Sequence, residues 1–213
     1  MHDKPVNGKP PKPRALLFDL GGVVIDIDFR RAFSVWQSGS ALSLEEIAEA
    51  FKFDLQYQRH ERGEIAASEY YEHLALMLRM KNDHAHIERG WNSIFVREIS
   101  ETTAMVRAVR STIPCYAFTN TNAAHATAWS RMFPAVVQSF GRIFASHEMG
   151  LRKPERAAFD HIGQELGLAA EAIVFFDDLP ENVQGASEAG LQAVHVRSPV
   201  DVRNALRSLG YEL

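Results

Sequence analysis

From Ala15 onward, short apolar runs without helical period alternate with amphipathic stretches. The runs cover 15–20, 113–119, 142–146, 172–178 and 192–198. Unbroken hydrophobicity of this kind is what strands need when helices cover both faces of their sheet. The stretches 101–111, 123–132, 155–166, 181–189 and 202–209 read as helices. Gly167 and Gly190 stand where a helix ends on a left-handed residue, and Pro154 and Pro180 where a first helical turn accepts proline. Strand and helix alternating over a hundred residues predict βαβ units and a parallel sheet.

The interval 29–99 follows a different pattern, with no clear buried strand. Ser43 and Glu46 form a capping box, after which Leu44, Ile47, Ala48 and Phe51 recur at helical spacing. Leu74, Met77 and Leu78 give a second apolar stripe in a helix begun near Ser68, and Ile87, Trp91, Ile94 and Phe95 a third. The expected architecture is a three-layer, Rossmann-like α/β core with an all-helical insertion. The core takes 15–28 and 100–213, the insertion 29–99, and 1–14 is a flexible tail. With 213 residues the chain has room for a core plus a fraction of a second unit.

Composition narrows the function. A net charge of −4 argues against a dedicated nucleic-acid binder, which needs a basic face. No apolar run approaches the ~20 residues of a membrane span. The tail holds four prolines and four basic residues but no apolar segment, unlike a secretory signal. The single cysteine, Cys115, excludes a disulfide framework and fits a small core residue in a reducing, cytoplasmic setting. A monomer or homodimer is expected.

In an open parallel sheet, ligands bind beyond the carboxyl ends of the strands. Three such ends carry polar residues here: Asp19, Thr119 with Asn120, and Asp177 with Asp178. Any one of them could be only a helix cap. Three converging carboxylates repel one another unless a cation lies among them, and a hard, oxygen-preferring ion such as magnesium suits them. Lys153 adds a positive charge to the same end, so a phosphate site is the natural reading.

The segments FDLGGVV (18–24), AFTNTN (117–122), LRKP (151–154) with Phe159 beyond it, and VFFDDLPEN (174–182) resemble the four ordered motifs of the haloacid dehalogenase-like hydrolases. The helical insertion resembles that family's small cap. DLGGVVIDIDF (19–29), HERGEI (60–65), NTN with His125 and Trp129, and GLRKPE (150–155) are similar to the bacterial glucose-1-phosphate phosphatase subgroup and to the N-terminal phosphatase domain of soluble epoxide hydrolases. The resemblance implies Asp19 as nucleophile, forming an aspartyl-phosphate. It implies magnesium on Asp19, the Gly21 carbonyl and Asp178, with Asp177 a ligand through water or a partner behind the ligands. Thr119 and the Asn120 backbone would bind phosphate, Lys153 would stabilise its charge, and Asn182 would orient the outer shell of the metal. His60 or Arg62, in a turn of the cap, would touch sugar hydroxyls.

One position departs from the pattern. Most phosphatases of this family carry a second aspartate two residues after the first, to protonate the leaving oxygen; Gly21 stands there instead. Such help is typically worth about 10²–10⁴-fold. The glucose-1-phosphate-type subgroup shares the glycine, and an anomeric hydroxyl, being a better leaving group, needs the acid less. Asp26, Asp28, His60 and His125 are the candidate substitutes. The expected function is magnesium-dependent hydrolysis of a small phosphorylated metabolite, a sugar phosphate such as glucose 1-phosphate. The alternatives are a 2-haloacid dehalogenase, which has no use for the Asp177–Asp178 pair, and a phosphometabolite-binding protein without turnover. Trp36, Trp91 and Trp129 read as packing residues, and His84 and His86 as surface residues.

Overall fold

The computed structural model describes residues 11–213. Five parallel strands form the main sheet: β1 (Ala15–Phe18), β4 (Cys115–Thr119), β5 (Ile143–Ala145), β6 (Ile173–Asp177) and β7 (Gln192–His195). Their spatial order is β5-β4-β1-β6-β7. The chain leaves β1 towards one edge and returns to build β6 and β7 on the other side. Strand order therefore reverses at β1, whose last residue directly precedes Asp19.

The pleat divides the apolar residues between two helical layers. Leu16, Phe18, Cys115, Ala117, Val174 and Phe176 face the side packed by Met105 and Val106 of α6 (Ser100–Val109) and Val202 and Leu206 of α12 (Pro199–Ser208). Leu17, Phe118, Ile173 and Phe175 face the other, packed by Ala158, Phe159 and Ile162 of α10 (Arg156–Leu166) and Ala186 of α11 (Pro180–Glu188). Phe18 stacks on Phe176 with ring centroids 4.5 Å apart. Covered on both faces, the strands read as unbroken apolar runs for this reason. Gly167 ends α10 with φ 63°. Pro180 opens α11, but Pro154 lies outside the helix it was expected to open, because α10 begins at Arg156 and the Lys153–Pro154 bond is cis.

Between β1 and β4 five helices follow one another: α1 (Phe29–Gln37), α2 (Leu44–Ala50), α3 (Leu55–Glu61), α4 (Ala67–Met77) and α5 (His84–Asn92). The Ser43–Glu46 capping box is present. Trp36 and Trp91 stack at 5.8 Å, and Ile47, Tyr70, Leu74 and Ile87 close around them. Ala48, expected on the apolar stripe of α2, is exposed.

A two-stranded antiparallel ribbon, β2 (Ile25–Ile27) with β3 (Phe95–Glu98), flanks these helices in the chain and was not expected. The remaining helices, α7 (Ala123–Met132), α8 (Pro134–Val137) and α9 (Ser146–Met149), follow β4 and β5. Residues 1–10 of the expected flexible tail lie outside the described residues. Its last four do not hang loose: the Pro11 carbonyl accepts from Gln192, and the Arg14 amide donates to Ala172. Among the described residues, no helix is long and apolar enough to cross a membrane.

Candidate active site

Three strand ends deliver Asp19 (after β1), Thr119 (the end of β4) and Asp178 (after β6) to one crevice, with Asp177, the last residue of β6, buried behind them. Lys153 reaches it from the loop before α10 and is fully buried. Its ammonium lies 2.7 Å from both Asp19 Oδ1 and Asp177 Oδ2. Burial alone would pull the Lys153 ammonium down; Asp177 and Asp19 outweigh it and hold it above its ordinary value. Burial pushes the Asp19 carboxyl up, helped by Asp177 and Asp178 and opposed by Lys153. Burial, with Asp177 beside it, raises Asp178 to about 6.

The two carboxylates of the 177–178 pair are not equivalent. Asp177 accepts from Lys153 on Oδ2 and from the Leu179 amide and Asn182 on Oδ1, and it is wholly buried. It serves to hold Lys153 and the start of α11. Asp178 lines the crevice. Oxygens of Asp19, Asp177 and Asp178 lie within 4.8 Å of one another, a hard-donor set that fits magnesium.

Local sequence explains this precision. Gly22 has φ +72°, and a Cβ there would collide with the Asp178 carboxylate, so the glycine lets Asp178 lie over the loop. The Asn120 side chain forms two bonds to the Lys153 backbone, accepting from its amide at 2.9 Å and donating to its carbonyl at 3.0 Å. Asn120 thereby fixes the lysine at the end of β4, next to Thr119. A Cβ on Gly21 would lie 3.1 Å from Ile27 Cδ1. The side chain of Ile27 thus packs against the position two residues after Asp19, where the expected acid is missing.

None of the four expected substitutes for that acid is placed to donate a proton. Asp26 pairs with Arg97 on the ribbon, and Asp28 caps α1 by accepting from the Arg30 amide. His60 does not line the crevice; it is buried and stacked on Tyr70 at 4.6 Å, where burial lowers its pKa to about 4. His125 does line the crevice, but it stacks on Trp91 and its Nε2 lies 3.0 Å from the Trp91 carbonyl. A carbonyl only accepts, so Nε2 carries the proton and Nδ1 is bare. Burial lowers its pKa to about 3, so it remains an acceptor at neutral pH.

The expected cap contacts need the same correction. Arg62 pairs with Glu155 of the core and does not line the crevice. From the inserted helices it is Tyr57 and Glu61 of α3, with Phe29 and Phe53, that face the crevice. Glu61 accepts from Arg152 Nε at 2.9 Å and lies 2.8 Å from its Nη2. Burial raises the Glu61 carboxyl, against the pull of Arg152. Tyr57 and Glu61, four residues apart on one helix face, carried a helical signal, but nothing local marks Arg152 as their partner.

The haloacid dehalogenase-like hydrolase family profile matches residues 13–190. A sesquiterpene phosphatase of Aspergillus oryzae is 23% identical over 92% of this chain and 96% of its own. A D-ribitol-5-phosphate phosphatase of Bacteroides thetaiotaomicron is 20% identical over 90% and 95% respectively. The crystal structure of a haloacid dehalogenase family enzyme of Bacteroides thetaiotaomicron, in complex with magnesium and inorganic phosphate, superposes with TM-score 0.76 and 26% identity. The superposition covers 87% of this chain and 94% of that one. With the family profile matched over most of its length, and Asp19, Thr119, Lys153 and Asp178 gathered at the strand switch, the chain belongs to the haloacid dehalogenase-like hydrolases.

Proposed function

We propose that the protein is a magnesium-dependent phosphatase that hydrolyses the phosphomonoester of a small metabolite through an aspartyl-phosphate. The observation that carries this reading is the Lys153 ammonium held between Asp19 and Asp177, with the Asp178 carboxylate in the same cluster. The Leu20 amide and Lys153 both bind Oδ1 of Asp19, which leaves Oδ2 as the oxygen that attacks phosphorus. The new Asp19–phosphorus bond forms as the bond to the alcohol oxygen breaks, and that oxygen takes its proton from water. Water then attacks the phosphorus of the aspartyl-phosphate, releasing phosphate and restoring Asp19, and the proton it sheds neutralises the hydroxide left by the first step.

Thr119 and the Asn120 backbone hold phosphate oxygens, and Lys153 opposes the charge that builds on them. Asp19, the Gly21 carbonyl and Asp178 would hold the magnesium, which would supply positive charge to neutralise the phosphoryl group. Asp177 and Asn182 act behind them by fixing Lys153 and each other. The helices between β2 and β3 form a cap over the crevice that excludes water. A cytoplasmic setting goes with this reading, supported by the single buried thiol of Cys115.

The alcohol is the finer question. The sequence expects a sugar, as in glucose 1-phosphate, and similarity to a D-ribitol-5-phosphate phosphatase supports a polyhydroxylated alcohol. Similarity to a sesquiterpene phosphatase supports an apolar one. Phosphate release over a panel of phosphomonoesters, with magnesium and after exhaustive chelation, tests the activity. Release that needs magnesium and disappears in Asp19→Asn is the expected result. Halide release from a 2-haloacid that survives chelation would make the protein a dehalogenase, and tight binding with no release a non-catalytic binder.

A further inference from the structure

The crevice has a charged end and an apolar end. At the strand tips lie the carboxylates, Thr119 and Lys153; beyond them the wall is Ile27, Phe29, Phe53, Tyr57, Ile94 and Phe95. Phe53 packs edge-on against Phe29 at 5.4 Å and Tyr57 at 4.9 Å, yet it is still 57% exposed. Leu179, just before α11, is another large apolar side chain left 44% exposed at the same crevice. Exposed large apolar groups that join an aromatic wall in one crevice offer an apolar surface for a ligand to cover.

The charged pair at this end is already engaged, and His125 keeps only its bare Nδ1 as an acceptor. Glu61 binds Arg152 through Oε2, and His125 spends its only N–H on the Trp91 carbonyl. Reading sugar hydroxyls requires convergent donors and acceptors without partners, and a site built that way loses heavily when they go unpaired. Beside Gly21 the neighbouring side chain is Ile27, whose Cδ1 would lie 3.1 Å from a Cβ there, so the wall next to Asp19 is apolar as well. A cavity of about 330 Å³ is the size of a small-molecule pocket.

We infer that the substrate is the phosphomonoester of an apolar alcohol, with its phosphate at Asp19 and Lys153 and its hydrocarbon part against Phe29, Phe53 and Tyr57. This rests on the phosphatase reading and narrows it: an apolar alcohol displaces the sugar as the expected leaving group. Discrimination comes from burial of the chain against the aromatic wall, each methylene adding to affinity.

Binding and turnover separate the two readings. Hexyl phosphate, 2-phenylethyl phosphate, glucose 1-phosphate and ribitol 5-phosphate are titrated calorimetrically, with magnesium, into the Asp19→Asn protein. The apolar esters are expected to bind at least about tenfold tighter, the effect of roughly two buried methylenes. Phe53→Ser is expected to weaken hexyl phosphate by about fivefold to tenfold and leave glucose 1-phosphate unchanged, since an exposed Phe contributes little to the fold. Equal or tighter binding of the sugar phosphates overturns the inference, and so does a Phe53→Ser effect common to all four. Wild-type protein that prefers apolar esters in binding but releases phosphate from none of them sinks the phosphatase reading and leaves the binding preference standing.

Discussion

Ile27 and Gly21 form a pair whose consequences can be measured. Because a Cβ on Gly21 would lie 3.1 Å from Ile27 Cδ1, Gly21→Asp makes the end of Ile27 give way, a mild crowding at the lower end of the about 1–3 kcal/mol that overpacking typically costs. We expect Gly21→Asp alone to lower both melting temperature and turnover, and Gly21→Asp with Ile27→Ala to recover turnover on esters of poor leaving groups; steady-state kinetics on hexyl phosphate read this directly. Lys153 makes a second test. Lys153→Met leaves Asp19 and Asp177 facing each other without their cation, and breaking a buried pair in this way costs about 3–5 kcal/mol. Denaturant titration should show that loss; an unchanged midpoint would mean that the lysine is not holding the carboxylates. Asp19, Thr119, Asp177 and Asp178 were legible because each ends an apolar run, and strand ends of a parallel sheet converge by topology. Glu61 and Arg152 were not, because their partnership exists only after distant segments dock.

At the level of elements, the turn after α3 shows how a motif can be found and its purpose misread. Its charges suggested reach into the site. Arg62 instead engages Glu155, and Glu61, at the crevice wall, engages Arg152; these two partners stand on either side of Lys153 and Pro154. Gly63, with φ +68°, brings the turn so close to α9 that a Cβ would lie 2.5 Å from the His147 carbonyl. The turn is a clasp between inserted helices and core. A double-mutant cycle on Arg62→Ala and Glu155→Ala should give a coupling of about 0.5–1 kcal/mol in stability, as for partly exposed pairs. Gly63→Ala should cost more than either, through the strained φ and the clash, when unfolding is followed by fluorescence. The ribbon escaped notice for a simpler reason. Three residues of β2 and four of β3 are too few to display a period, and their pairing joins positions about seventy residues apart.

Across the whole molecule, the buried histidines tie stability to pH. His60 and His125 keep native pKa values of about 4 and about 3 because burial disfavours the imidazolium, while the unfolded chain titrates near 6.5. Between those limits the unfolded state binds protons that the native state refuses. Their contribution is therefore complete above about pH 6.5 and is lost as pH falls towards 4, by roughly 2 kcal/mol each at pH 4.5. Urea titrations at pH 7 and 4.5 should show a smaller drop for His60→Gln than for wild type; identical drops would mean that His60 is protonated in the folded protein. The same core explains why the fold was so readable. Phe18, Phe118 and Phe175 sit on a sheet buried on both sides, so each strand wrote itself into the sequence as an uninterrupted apolar word.

The ribbon has a consequence of another kind. The amide of Asp28 donates to the carbonyl of Ile94 at 2.8 Å, so the chain departs for the five helices and comes back at nearly the same point. To the sheet, everything between those two residues is a single loop whose ends are already closed, and lengthening a closed loop adds little entropy cost. A chain built this way can trade its covering for one of another size or shape while β1, β4 and β6 keep their register and Asp19 its place. New substrates become reachable by replacing one exchangeable cassette, with the reacting groups left where they were.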